Sequence, residues 1–371
     1  MKSQQVSKFV TSLVCVGMWV VMGSAPATSA ETLTLRQFVW EGQGYEAYQA
    51  KFSALVKTKH GVELKFENTY VKGYEDFLPV LRDERADVVS IDHFLMRDER
   101  FPFIALKLLL PLNVAANIPN FTLLPPALQT SAYWTEGGGV YGVPTFRGIM
   151  GIAYNLAIVK DPPTSWQILW EPQFEGKYTL GNFYEYDNYI TALAMGIPPD
   201  KMSDYKTLNT QAFQEKLAQL ALNANALWEG IDQPADYQGM SLVVGWGVAL
   251  PALKAKGEQW KMAELKEGMP GYVTAFTLSR TLEKNPQLKQ IAEEWLNYLL
   301  SDELQASDIR EMGCWPVTTT VKNVLTPEEI AAFHLDDPTY LDQHVTLAPT
   351  LSKLDRKGLE RLWNDALAKR K

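Results

Sequence analysis

Cysteine is almost missing from this chain of 371 residues; only Cys15 and Cys314 occur. If the first segment is removed, as argued below, one thiol remains and no intrachain disulfide can form, so the fold must rest on its core. Histidine is scarce too: His60, His93, His334 and His344 stand alone, none spaced three or four residues from another histidine or cysteine. That pattern excludes the common zinc signatures. Positive charge is in deficit, with 35 Lys and Arg against 43 Asp and Glu, a net charge of −8. An acidic chain does not hold nucleic acid by general electrostatics. No phosphate-cradling glycine loop is present, and Gly239-Met-Ser241 lacks the second glycine of a nucleophile elbow. The one long apolar run, Val10 to Met22, has about 13 residues, short of the ~20 that span a bilayer.

That run has a meaning of its own. Lys2 and Lys8 precede it, and Gly23, Ser24, Ala25, Ala27, Ser29 and Ala30 follow. A basic head, an apolar middle and a small-residue end make a secretory signal peptide over 1–30, with cleavage expected near Glu31. Cys15 follows Val14 rather than a small residue, so a lipid-anchored cysteine is not expected. The exported remainder is long enough for two domains.

Alternating and helical patterns then divide the chain. Leu33–Val39, Val62–Glu67 and Ala86–Ser90 read as strands, with helices at Tyr45–Lys59 and Tyr74–Arg82 between them. Gly61 is placed to close the first helix. This strand–helix alternation implies parallel pairing with right-handed crossovers. A second series follows: strands at Ile149–Tyr154, Tyr178–Leu180 and Leu242–Trp246, helices at Tyr189–Met195, Phe213–Ala226 and Leu250–Lys256, and a loop at Gly181–Asp187. Extended crossings are expected near Pro144–Arg147 and Val273–Leu278, then helices at Leu288–Leu300 and Leu354–Ala368. Trp166, Trp170, Trp295 and Trp363 fall on helical stripes and read as core. His93 reads as a surface-loop histidine, and Cys314 as an inert buried thiol. The cluster Tyr184, Tyr186 and Tyr189 could suit iron but lacks supporting ligands, and no metal or other cofactor is expected.

Short segments also recur in a familiar order: Phe38-Val-Trp-Glu-Gly42, Ala86-Asp-Val-Val-Ser90, Gly142-Val-Pro144, Gly151-Ile-Ala-Tyr-Asn155, Leu169-Trp-Glu-Pro172, Phe174-Glu-Gly-Lys177, Gly245-Trp246, Lys266-Glu-Gly268, and Gly313 before Pro316. The set resembles the spermidine/putrescine-binding proteins of bacterial ABC importers, within the periplasmic solute-binding proteins. The resemblance implies an α/β, two-lobed periplasmic-binding-protein fold of type II. One lobe would hold 31–143 plus 276–312 and the other 147–272 plus 316–371, hinged near 144–146 and 273–275. It implies a monomeric, periplasmic, non-enzymatic receptor that hands a small solute to an inner-membrane permease.

Ligands in such sheets sit beyond the carboxyl ends of strands. The resemblance places Trp40, Phe94, Trp246 and Tyr272 as aromatic walls, with Glu41, Ser90, Glu185 or Asp187 as polar ends and Trp315 in a further loop. Flat faces and carboxylates suit a polyamine-like cation. Two positions depart from that family's pattern. Thr274 stands where an acid is usual, and Arg147 where an apolar aromatic is usual. An arginine in the cleft would instead grip a carboxylate-bearing solute such as an amino acid, opine or organic acid. A secreted hydrolase using cleft carboxylates is the remaining alternative.

Overall fold

The computed structural model describes residues 31–370; the signal-peptide reading lies outside them. The strands of the first sheet are β1 (Thr32–Val39), β2 (Glu63–Tyr70), β3 (Val88–Asp92), β4 (Val143–Ile149), β5 (Met269–Leu278), β6 (Trp315–Pro316) and β7 (Val345–Leu347). Their order is β6-β4-β5-β3-β1-β2, and β7 continues beside β5. β1 pairs parallel with both β2 and β3, as the strand–helix alternation requires. The helix after β1, Glu46–His60, ends on Gly61 at φ 71°, in the left-handed region that glycine enters without a Cβ penalty.

A second sheet has the order Trp260–Met262, Gly151–Asn155, Leu242–Gly245, Tyr178–Gly181, Ala226–Trp228. Each sheet has its own core. Trp295, fully buried on helix Pro286–Leu299, packs against Phe52 and Phe66 under the first sheet. Its indole N–H donates to Gln37 Oε1 at 2.8 Å. Asn285 caps that helix through the Leu288 amide, with Pro286 at its first position. Trp166 and Trp363 are buried under the second sheet, and Trp363 donates to Asn182 Oδ1 at 2.7 Å. Trp170 is half-buried beneath Lys216.

The strands that run between the cores position the site. On β4, Val143 and Phe146 belong to the first core and Ile149 to the second; on β5, Met269 belongs to the second and Val273 to Leu278 to the first. Segment 313–317 alternates, with Cys314 and Val317 in the first core and Trp315 in the second. Residues 316–324 were expected with the second lobe, but Val317 and the turn Val321–Val324, packed on helix Asp302–Met312, stay with the first. Helix Lys353–Leu367 then packs on helices Gln211–Asn223 and Tyr184–Ala194 beside the second sheet. Among the described residues no helix is long and apolar enough to cross a membrane.

Candidate functional site

Pleat geometry sorts the crossing strands into two faces. Cross-strand partners share a face and successive residues alternate. Thr274 is opposite Asp92 on β3, and Tyr272 is opposite Gly148 on β4. Asp92, Thr274 and Tyr272 therefore share one face, with Ser90 two residues back along β3. The Tyr272 ring lies over Gly148, where an added Cβ would overlap it. Val273, Arg147 and Trp315, in register with one another, lie on the other face.

The first face carries an aromatic assembly contributed by both cores. Trp40, at the end of β1, meets Tyr74 edge-on at 5.8 Å between ring centres, and Tyr74 meets Phe94 at 5.8 Å. Phe94 touches both cores. From the second sheet, Trp246 packs edge-on against Tyr186 at 4.8 Å and Tyr272 at 5.2 Å, with Phe183 at 5.7 Å. Ser90 is fully buried and accepts the Trp40 backbone N–H at 3.3 Å, which fixes the turn that presents the indole. Trp40 Nε1 is itself buried without a hydrogen-bond partner among the described residues.

Two carboxyls join these rings. Asp92 is buried, accepts the Thr274 hydroxyl at 2.6 Å, and is pushed by burial to a pKa of about 7, against the opposing hydroxyl. Glu185 is only half-buried; desolvation by the neighbours that crowd it raises its pKa to about 7, with the Tyr184 hydroxyl and Arg100 pulling the other way. Both acids lie close enough to Tyr74 and Tyr186 to help hold those phenols un-ionised. Neither acid forms a salt bridge among the described residues. Arg100, which lines a small crevice with Glu185, Phe94 and Tyr186, is committed to Asp98 at 2.8 Å and Glu75 at 2.9 Å.

Other expected residues stand elsewhere. Asp187 is 1% exposed and its carboxylate accepts the Phe183 N–H at 3.0 Å, so it caps the start of helix Tyr184–Ala194 from within. That helix begins where a loop was expected. Glu41 is exposed. Trp315 is buried on the second face, donating to the Phe333 carbonyl at 3.1 Å. Arg147 shares that face; burial lowers its pKa, and Asp342 is the acid that opposes the shift. The grip on a carboxylate at the Tyr272 face therefore lacks its arginine. Thr274 is buried and serves Asp92. His93 is fully buried rather than on the surface. The Val273 N–H donates to its Nδ1 at 3.2 Å, which leaves Nε2 to donate to the Ala348 carbonyl at 2.9 Å. Burial depresses its pKa to about 4, so it stays neutral at physiological pH. Tyr189, of the tyrosine cluster, is buried in the second core.

Sequence reading named Tyr186 only in a tyrosine cluster suited to iron, and did not single out Asp92, Tyr74 or Phe183 as site residues. The alternation of β3 carried a signal for Asp92: with Ser90 facing the site, the residue two positions on must face it too.

Residues 83–343 match the model of the bacterial extracellular solute-binding proteins. The chain belongs to that family. Its members are solute-binding proteins rather than enzymes, which removes the hydrolase alternative. Among curated relatives, the norspermidine sensor of Vibrio cholerae is 32% identical over 91 residues, 21% of this chain and 25% of that protein; the match thus spans about a quarter of that relative's length. Among solved structures, the spermidine/putrescine substrate-binding protein PotD of Streptococcus pneumoniae superposes with a TM-score of 0.72 at 16% identity, covering 91% of this chain and 99% of that one. A putative spermidine/putrescine ABC transporter protein of Listeria monocytogenes gives 0.71 at 16% identity over the same shares. The periplasmic binding protein MotA of A. tumefaciens, solved with glucopine, gives 0.65 at 16% identity over 90% and 100%. These likenesses establish the two-lobed periplasmic-binding-protein fold for this extracellular solute-binding protein.

Proposed function

We propose that this solute-binding protein is the periplasmic receptor of an ABC importer, and that its ligand is a small organic amine of the polyamine kind held between the lobes. The observation that carries the reading is the two carboxyls, Asp92 and Glu185, set among Trp40, Tyr74, Phe94, Trp246 and Tyr272 with no salt bridge among the described residues, the nearby Arg100 being held by Asp98 and Glu75. Aromatic faces bury the methylenes of such a ligand and attract its ammonium groups by ~0.5–2 kcal/mol each. Carboxylates then fix the charges through charge-assisted hydrogen bonds. Closure of the lobes about the crossing strands would exclude water and present the loaded form to the permease. The ligand for which the norspermidine sensor of Vibrio cholerae is named supports the amine class.

A thermal-shift panel tests this. Putrescine, spermidine and norspermidine are compared with amino acids, an opine, organic acids and neutral sugars. A ligand at about 100 times its Kd adds roughly 2.7 kcal/mol of stability, and the amines are expected to give the largest shifts. A larger shift with a sugar or an organic acid contradicts the assignment.

A further inference from the structure

We infer that Asp232 is a positioning residue for the ligand wall: it acts through Trp246, by holding the backbone that carries the indole, and not on the solute itself. This rests on the reading that Trp246 lines the amine site. Trp246 follows strand Leu242–Gly245, whose pairing ends at Gly245 opposite Gly151 on one side and at Val244 opposite Leu180 on the other. Past that point the sheet offers the chain no acceptor, and buried amides need one. Asp232 supplies it from a loop earlier in the chain. Its carboxylate, 1% exposed, accepts the Trp246 N–H at 2.9 Å on Oδ1 and the Ala249 N–H at 3.1 Å on Oδ2. The Tyr237 hydroxyl donates to Oδ2 at 2.7 Å and steadies the carboxylate.

Two glycines make the arrangement possible. A Cβ at Gly245 would stand 3.2 Å from Asp232 Oδ1, tighter than an ordinary contact, so glycine lets the carboxylate reach past the strand end. Gly247 turns the chain at φ 78°, a region that other residues enter at a cost. The amides before and after that turn then close on one carboxylate. The ring that the loop presents meets Tyr186 at 4.8 Å and Tyr272, on the crossing strand β5, at 5.2 Å. A shift of the loop therefore moves the wall and its contact with β5 together. An amide side chain cannot hold the loop in the same way. Asparagine has one acceptor oxygen and one NH2 group. With its oxygen turned to either backbone N–H, the NH2 faces the other. The Tyr237 hydroxyl can rotate to accept from that NH2, but a backbone N–H cannot.

A double-mutant cycle read by calorimetric titration with putrescine separates this role from a merely structural one. Asp232→Asn is expected to weaken putrescine by about tenfold in the wild-type background, and by less than about twofold in a Trp246→Ala background, where the ring it positions is gone. Tyr237→Phe leaves both amide bonds and should stay within about twofold of wild type. Equal losses from Asp232→Asn in the two backgrounds, or a folded Asp232→Asn protein that binds as wild type does, overturn the inference. So does a loss from Tyr237→Phe as large as that from Asp232→Asn. Amide hydrogen exchange on the ligand-free wild type needs no variant to fold. The Trp246 and Ala249 amides are expected to exchange as slowly as those of strand Leu242–Gly245, and exchange at the rate of an open loop overturns the inference. A wild type that binds none of putrescine, spermidine and norspermidine overturns the amine reading instead, and the exchange rates still judge the hold of Asp232 on the loop.

Discussion

Asp92 makes the ligand-free protein pay a stability penalty at neutral pH, and that penalty can be measured. Its pKa in the fold, about 7, lies above its ordinary value of 3.8. Such a carboxyl lends stability that is fully present below about pH 4 and lost as pH rises through about 7, because the folded state holds the proton longer than the unfolded one. Asp92→Asn removes this dependence. Without ligand, the stability of the variant relative to wild type should rise between pH 5 and pH 8 by something on the order of 1–4 kcal/mol, measured by urea unfolding. A constant difference would mean that Asp92 is not held as an acid of raised pKa. Glu185 acts in the same direction as Asp92, and His93, held near pKa 4, in the reverse direction below its ordinary range. Both are common to the two proteins and cancel in the comparison. The site would thus be stabilised by the mutation that disables it, a trade seen wherever function needs an unneutralised buried charge.

At the level of elements, the ribbon of β4 and β5 decides which side chains reach the ligand. Gly148 leaves room for the Tyr272 ring, and that ring meets Trp246. Gly148→Ala should push Tyr272 aside, costing about 1–3 kcal/mol of stability and weakening norspermidine, as calorimetry would show; unchanged affinity would mean that the Tyr272–Trp246 contact does not shape the site. Arg147, one residue away, lies on the other face near Asp342. Arg147→Met should leave norspermidine affinity within about threefold of wild type, and a large loss would return Arg147 to the ligand. The same ribbon marks how far the sequence could be read. The strand–helix alternation up to Ser90, the extended conformation of the segments near 144 and 273, and the amphipathic helix with Trp295 were legible because local period and burial agree there. Helix Tyr184–Ala194 was read as starting late, because its first turn is capped from inside by Asp187 rather than by a preceding polar residue. Helix Asp302–Met312 was not read at all; its buried positions include Gln305, Ser307 and Asp308, which blur any apolar stripe. The facing of Arg147 was not legible, since it depends on register between strands far apart in sequence, whereas that of Asp92 follows from Ser90 along β3.

For the whole molecule, two cores joined through β4, β5 and the 313–317 segment make a body with one seam, and the aromatic rings of both cores converge on it. An open surface depression on the second core, lined by residues between Ile158 and Phe174 with Lys177 and Ser241, lies apart from those rings. The most direct measurement is a crystal structure of the protein with norspermidine. Density for the amine is expected between Trp40 and Trp246, with nitrogens about 3 Å from Asp92 and Glu185. Density beside Arg147, or in the depression near Ser241, with the seam rings unchanged, would contradict the assignment.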